Sequence, residues 1–238
     1  MKRRQLVKAL AATGLLAKYG TVGGLMGFMQ RALANGNNPV PAGLHQLKGQ
    51  VTVNGQPAHA GQLIRPGDTV VTAGDGEAIY VIGQDAFLQR SGSTVSFGHT
   101  AADFMRIVRG RILSVFGKGE REIKFTTATI GIRGTACYIE EGIQKVGAGG
   151  TASDTAPTYF CLCYGEAKVI PTAAPEQSET LLTTHHDHPI YISNDMNMPS
   201  TMVTASVINH TDIELILLEN LVGRWPPFYG QIQAGGHY

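Results

Sequence analysis

The chain has 238 residues, and its 19 lysines and arginines stand against 18 aspartates and glutamates. That balance leaves no basic footprint for nucleic acid or anionic lipid. The length suits one domain with a genuine core, or a domain plus an extension. The three cysteines allow at most one disulfide with a thiol left over.

Residues 1–34 read as an export signal. Arg3 and Arg4 precede Leu6, Val7 and Lys8, a weakly apolar stretch runs from Ala9 to Met29, and Ala32-Leu33-Ala34 offers a cleavage point after Ala34. The pattern resembles a twin-arginine signal peptide. Lys18 and the glycines interrupt the run of roughly 20 apolar residues that a stable membrane span needs, so none is expected. Six of the nineteen basic residues lie in this segment, which leaves thirteen against eighteen acidic ones in a mildly acidic mature protein. The expected location is the periplasm, a compartment that permits disulfides.

Residues 35–44, rich in Asn, Pro and Gly, read as a linker. Between about 45 and 171 the chain is a series of short strand-like runs divided by Gly-containing turns, the signature of a mainly β domain. Gly110 and Gly165 each separate two such runs.

Three segments in this region carry a family resemblance: GQVTVNGQPAHAGQLIRPGDTVVTA (49–73), RGRILSVFG (109–117) and TTATIGIRGTACYIE (126–140). Together they resemble the FecR-like periplasmic domain over about residues 47–171, the IRGT core (132–135) being the most specific piece. The resemblance implies an all-β domain of rolled or solenoid type and a binding role. Sensor-type members of that family carry a sigma-factor-binding segment and a membrane span ahead of the periplasmic domain. Here an export signal stands in that place, so no sigma-factor partner is expected; a periplasmic protein or a glycan is. Within the motif, Gly134 allows a bend, and Arg133 is expected to tie down carbonyls or a carboxylate near it.

Residues 172–238 lie beyond the resemblance. His185-His186-Asp187-His188 leads into a strand-like tail ending at Ile192. Thr211 with Glu214 three residues later predicts a capping box and a helix over about 212–222, stopped by Gly223. Its apolar residues, Ile213, Leu215, Leu217, Leu218, Leu221 and Val222, require burial against the β-domain. Trp225, the chain's one tryptophan, is expected to anchor the following tail by packing.

The candidate site is the cysteine window. Cys137 lies on one strand-like segment, Cys161 and Cys163 on another, with the Gly- and Ala-rich stretch 146–153 between them. A hairpin turning about Gly149 sets Cys137 opposite Cys161, and the period of two puts Cys163 on the same face. Three readings follow. Cys137 bridges Cys161 or Cys163 as a disulfide; or the three thiolates, with His186 or His188, hold Cu(I), Zn(II) or iron; or the thiols form a redox pair, although Cys-x-Cys on a strand lacks the helix N-terminus that activates Cys-x-x-Cys. Asp187 and His185 are the expected outer partners of the metal ligands, and His210 is a cap-adjacent histidine able to complete a site. No catalytic motif occurs, so the chain is expected to be no enzyme. The expected function is a soluble periplasmic binding protein with a soft-metal site. The alternatives are a disulfide-stapled structural module and a thiol redox protein.

Overall fold

The computed structural model describes residues 27, 38–143, 156–195, 197 and 200–230. Apart from residue 27, the export signal, with Arg3, Arg4 and the cleavage point, lies outside them, as does the turn around Gly149.

Alternation decides the architecture. Along the chain, Val51 and Val53, Val95 and Phe97, and Ile130 and Ile132 are buried while their immediate neighbours are more exposed, so each strand offers one apolar side. The strands are β1 (Gly43–Lys48), β2 (Val51–Val53), β3 (Gln56–Pro57), β4 (Thr69–Thr72), β5 (Glu77–Ile82), β6 (Asp85–Gln89), β7 (Ser93–Thr100), β8 (Asp103–Val115), β9 (Glu120–Lys124), β10 (Ala128–Arg133), β11 (Ala136–Glu141), β12 (Thr158–Pro171), β13 (Glu179–Thr183), β14 (Ile190–Ile192) and β15 (Met202–Thr204). One helix, α1 (Asp212–Leu221), follows. Over the described residues the fold is mainly β with a short helix near the C-terminus, as the sequence predicts.

Hydrogen bonding orders these strands into two sheets. The first runs β1-β5-β6-β8-β11-β12-β14-β15 and the second β3-β2-β4-β7-β8-β9-β10-β12-β13, every pair antiparallel except β8 with β9. Two strands belong to both. β8 pairs with β7 and β9 through its first half and with β6 and β11 through its second. β12 pairs with β11 and β14 through its first half and with β10 and β13 through its second. The crossings fall at Gly110 (φ +105°) and Gly165 (φ +96°), conformations that a side chain disfavours. Each glycine that reads as a break between two runs is therefore a corner inside one long strand.

The inner faces of the two sheets enclose the main core, in which Tyr80 stacks on Phe87 at 5.1 Å and Phe97 meets both edge-on. The outer face of the first sheet carries a second apolar layer: Ile79, Leu88, Leu113, Val115, Tyr138, Tyr159, Cys161 and Cys163. α1 covers it, burying Leu215, Leu217, Leu218 and Leu221. The predicted capping box is present, with Glu214 N–H donating to Thr211 Oγ1 at 3.4 Å and Thr211 N–H to Glu214 Oε2 at 2.9 Å. Thr211→Ala is expected to lower stability by about 1 kcal/mol, read as a drop in the urea midpoint at unchanged m-value.

The segment beyond 171 is woven into the β-structure, β13 extending the second sheet and β14 and β15 the first. Two details differ from the sequence reading. β1 begins inside the expected linker, because Leu44 packs into the core at 1% exposure. Phe228, at 2% exposure, anchors the aromatic tail; Trp225 is half-buried beside Tyr229, 4.0 Å between ring centres. Gly134 adopts φ +65°, and Arg133 pairs with the Glu120 carboxylate at the exposed end of β10.

Candidate metal centre

The site starts from a register. β11 pairs with β12 so that Cys137 faces Leu162 and Tyr138 faces Cys161. That is one residue away from the alignment a turn about Gly149 implies, and a one-residue slip sends a side chain to the other face. Cys137 consequently lies in the core between the sheets with Leu162, whereas Cys161 and Cys163 lie on the outer face under α1. The expectation of three thiols on one side, and of Cys137 bridging or co-ligating with Cys161 or Cys163, is corrected: side chains aimed through opposite faces cannot be joined without moving backbone. All three cysteines are free and buried.

A register shift at Ala136/Cys137 leaves Cys163 without a direct partner on β11, since Ala136 faces Tyr164 and Cys137 faces Leu162. Bulges of this kind re-aim side chains beside functional sites. Here the bulge lies beside two further segments. The turn after β13 returns to β12 through His186 N–H donating to the Cys163 carbonyl at 3.0 Å. The residues leading into α1 then bring His210 onto the Tyr138 ring, 4.7 Å between centres and 21° from parallel. His186 (φ 55°) and Asn209 (φ 56°) both adopt left-handed backbone. Such geometry is uncommon outside glycine and is found where a site demands it.

The result is a buried group of four: Cys161, Cys163, His186 and His210, whose ligating atoms all lie within 4.8 Å of one another. Cys161 Sγ is 3.5 Å from His186 Nδ1, and that nitrogen is 3.0 Å from His210 Nε2. The outer partners settle which ring nitrogens carry protons. His210 Nδ1 is 2.7 Å from the Ile208 carbonyl and His186 Nε2 is 3.2 Å from Asp212 Oδ1. Both oxygens only accept, so both of those nitrogens donate. In neutral rings the lone pairs of His186 Nδ1 and His210 Nε2 then point at one another beside a sulfur. Such an arrangement is repulsive unless a proton or a cation lies between them.

The electrostatics agree with that geometry. The Cys163 thiol as donor, followed by His186 and His210, holds Cys161 well below the usual thiol range despite its burial. Burial, and then the neighbouring Cys161, pushes Cys163 far above it. Burial alone would lower His186, but its hydrogen bonds to Asp212 and Cys161 raise it to about 9. The Asp212 carboxyl is disfavoured by burial yet ends below its ordinary range, because His186 and His185 both donate to it.

The remaining predicted residues serve otherwise. His185 Nε2 contacts both Asp212 oxygens, at 2.9 and 3.0 Å, and its ring stacks on Phe228 at 4.3 Å. Asp187 caps its own turn, accepting from Thr184 N–H at 2.8 Å and Thr184 Oγ1 at 2.9 Å. His188 is exposed and turns onto the Asp187 carbonyl at 2.6 Å. The carboxylate that orients the His186 ring is thus Asp212, in the first turn of α1. The sequence signal for it was the His-Thr-Asp run at the helix start, where an N-terminal acid reads as a dipole partner.

Cys161, His186 and Asp212 also stand in the order of a nucleophile, a base and an orienting acid. Cys161 is 0% exposed and His186 5%, so in this conformation the sulfur is closed off from solvent. Among the described residues, no helix is long and apolar enough to cross a membrane.

No family model matches the chain, and no curated protein does. Two crystal structures of a protein assigned as an anti-sigma factor from Parabacteroides distasonis, at 1.65 and 2.50 Å resolution, are similar to it at 10% identity and a TM-score of 0.42. Each match covers 57% of this chain, and the chain spans 57% of the solved one.

Proposed function

We propose that the chain is a non-catalytic periplasmic binding protein whose β-fold is completed by a structural metal ion, with Cys161, Cys163, His186 and His210 as ligands. The observation that carries this reading is the convergence of two sulfurs and two imidazole nitrogens within 4.8 Å in a buried pocket. A tetrahedral ion bonded at about 2.3 Å to sulfur and about 2.0–2.1 Å to nitrogen spaces its ligand atoms roughly 3.3–3.8 Å apart. The 3.0 Å and 3.5 Å separations need only small adjustments to reach that spacing.

Four protein ligands leave no open position for substrate, the mark of a structural centre. Two thiolates with two imidazoles in a tetrahedral set favour Zn(II), with Cu(I) and iron behind it. The FecR-like motifs and the export signal support a periplasmic setting, and the exposed second sheet is the face left for a protein or glycan partner. Elemental analysis of the full chain purified from a reducing cytoplasm tests the metal. About one zinc per chain is expected, with only Cys137 unligated. Metal-free protein that takes up no zinc on reconstitution overturns the reading.

Asp212 supplies a separate check. Losing the carboxylate that orients a ligating imidazole typically costs 10–100-fold in metal affinity. Asp212→Asn is therefore expected to raise the zinc dissociation constant by about that factor, measured by competition with a chromophoric chelator.

A further inference from the structure

We infer that residues 205–230 form a strap that the metal locks onto the first sheet, and that the ion enters and leaves only when this strap lifts. The inference rests on the metal reading above and adds a route and a rate to it.

The four ligands are unevenly distributed. Cys161 and Cys163 belong to β12, and His186 is hydrogen-bonded to the same strand through the Cys163 carbonyl. Only His210 belongs to the strap. Lifting the strap would leave three ligands in place and one coordination position open, the arrangement from which exchange is fast. With the strap down, all four ligand residues are at most 5% exposed. α1 covers the sheet beside them, and Phe228 lies over His185 at 4.3 Å and 6.2 Å from the His186 ring. An incoming ligand has no approach from the sheet side, where β12 and the inner core close the site.

One of the strap's other ties reaches a ligand residue, Asp212 accepting from His186 Nε2 at 3.2 Å, and Tyr159 donates its hydroxyl to the Ser206 carbonyl at 3.0 Å. Arg90 donates to Glu214 at 2.8 Å and to the Asn209 carbonyl at 2.9 Å. Asn209 Nδ2 donates to Glu140 at 2.6 Å, and Arg224 to the Gln84 carbonyl at 2.8 Å. Leu217, a fully buried residue of α1, belongs to the apolar part of the contact and is not one of the four ligand residues. These contacts decide how often the strap opens, whereas His210 directly, and Asp212 through His186, couple that opening to the ion.

The test loads the full chain with Co(II), whose thiolate charge-transfer band reports the intact site, and follows its loss to a chelator. Opening-limited release reaches a plateau rate as chelator concentration rises. Leu217→Ala is expected to raise that plateau about tenfold or more while leaving the cobalt spectrum unchanged. Arg90→Gln, a milder change, is expected to raise it several-fold and carries the test if Leu217→Ala fails to fold. Hydrogen exchange of α1 amides should quicken in step with release, without change in β5 or β10. A wild-type rate that climbs linearly with chelator concentration, or variants that release at the wild-type rate, overturns the gate while leaving the metal site standing. A wild-type chain that takes up no cobalt overturns the metal reading itself, and the gate with it.

Discussion

Cys163→Ala is expected to leave the chain without a retained ion: from about one zinc per chain to none after dialysis against a chelator. The argument is one of coordination number. Cys163 occupies the bulge in β12, Cys161 is the one other cysteine on that face among the described residues, and a three-ligand centre exchanges its ion readily. Because an ion that binds only the folded chain stabilises it by about 4 kcal/mol at a thousandfold excess over its dissociation constant, a comparable loss of stability should follow. It should appear only in zinc-containing buffer and vanish when wild type and variant are both stripped. Two companion substitutions separate this site from the one the sequence suggests. His188→Ala and Cys137→Ala should each retain the full metal content, since His188 is exposed and Cys137 lies in the core between the sheets. Metal lost from Cys137→Ala but kept in Cys163→Ala would reverse the assignment.

That contrast shows where the sequence stops being legible. The strands announce themselves through period-two burial, and the helix through Thr211, Glu214 and Gly223, because these are local effects written within a few residues. The pairing of β11 with β12 is different. A long Gly- and Ala-rich connection imposes no turn type, so the strands choose their register by packing, and the bulge at Cys163 shifts it by one. One residue was enough to divide the cysteines between two cores. His210 and Asp212 were hidden for another reason: they reach the site only through the docking of α1, a contact between segments 47 residues apart in sequence (Cys163 to His210). The left-handed backbone at His186 and Asn209 has no sequence mark at all, although Asn is the residue type that tolerates it best.

Gly110→Ala is expected to be the most damaging single methyl in the first sheet. At φ +105° an alanine is strained by about 1–3 kcal/mol. Its Cβ would also stand 2.4 Å from Ser93 Cα and 2.2 Å from Ser93 Oγ. The hydroxyl can rotate, but the Cα cannot, because the Ser93 backbone is held against Thr72 by its N–H and by the β4–β7 pairing. Overpacking against backbone adds about 1–3 kcal/mol, and the sum is a large part of an ordinary stability margin of about 5–15 kcal/mol. A sharply lowered urea midpoint, or insoluble protein, is the expected outcome. Gly74→Ala, with an ordinary φ and nothing within 4 Å of its added carbon, should stay within about 0.5 kcal/mol of wild type. The corner matters beyond stability. Past Gly110, β8 carries Leu113 and Val115 onto the face beneath α1, so a flattened corner withdraws the floor on which the helix rests. Any Gly110→Ala chain that remains soluble should therefore lose its ion faster than wild type, although no ligand has been touched.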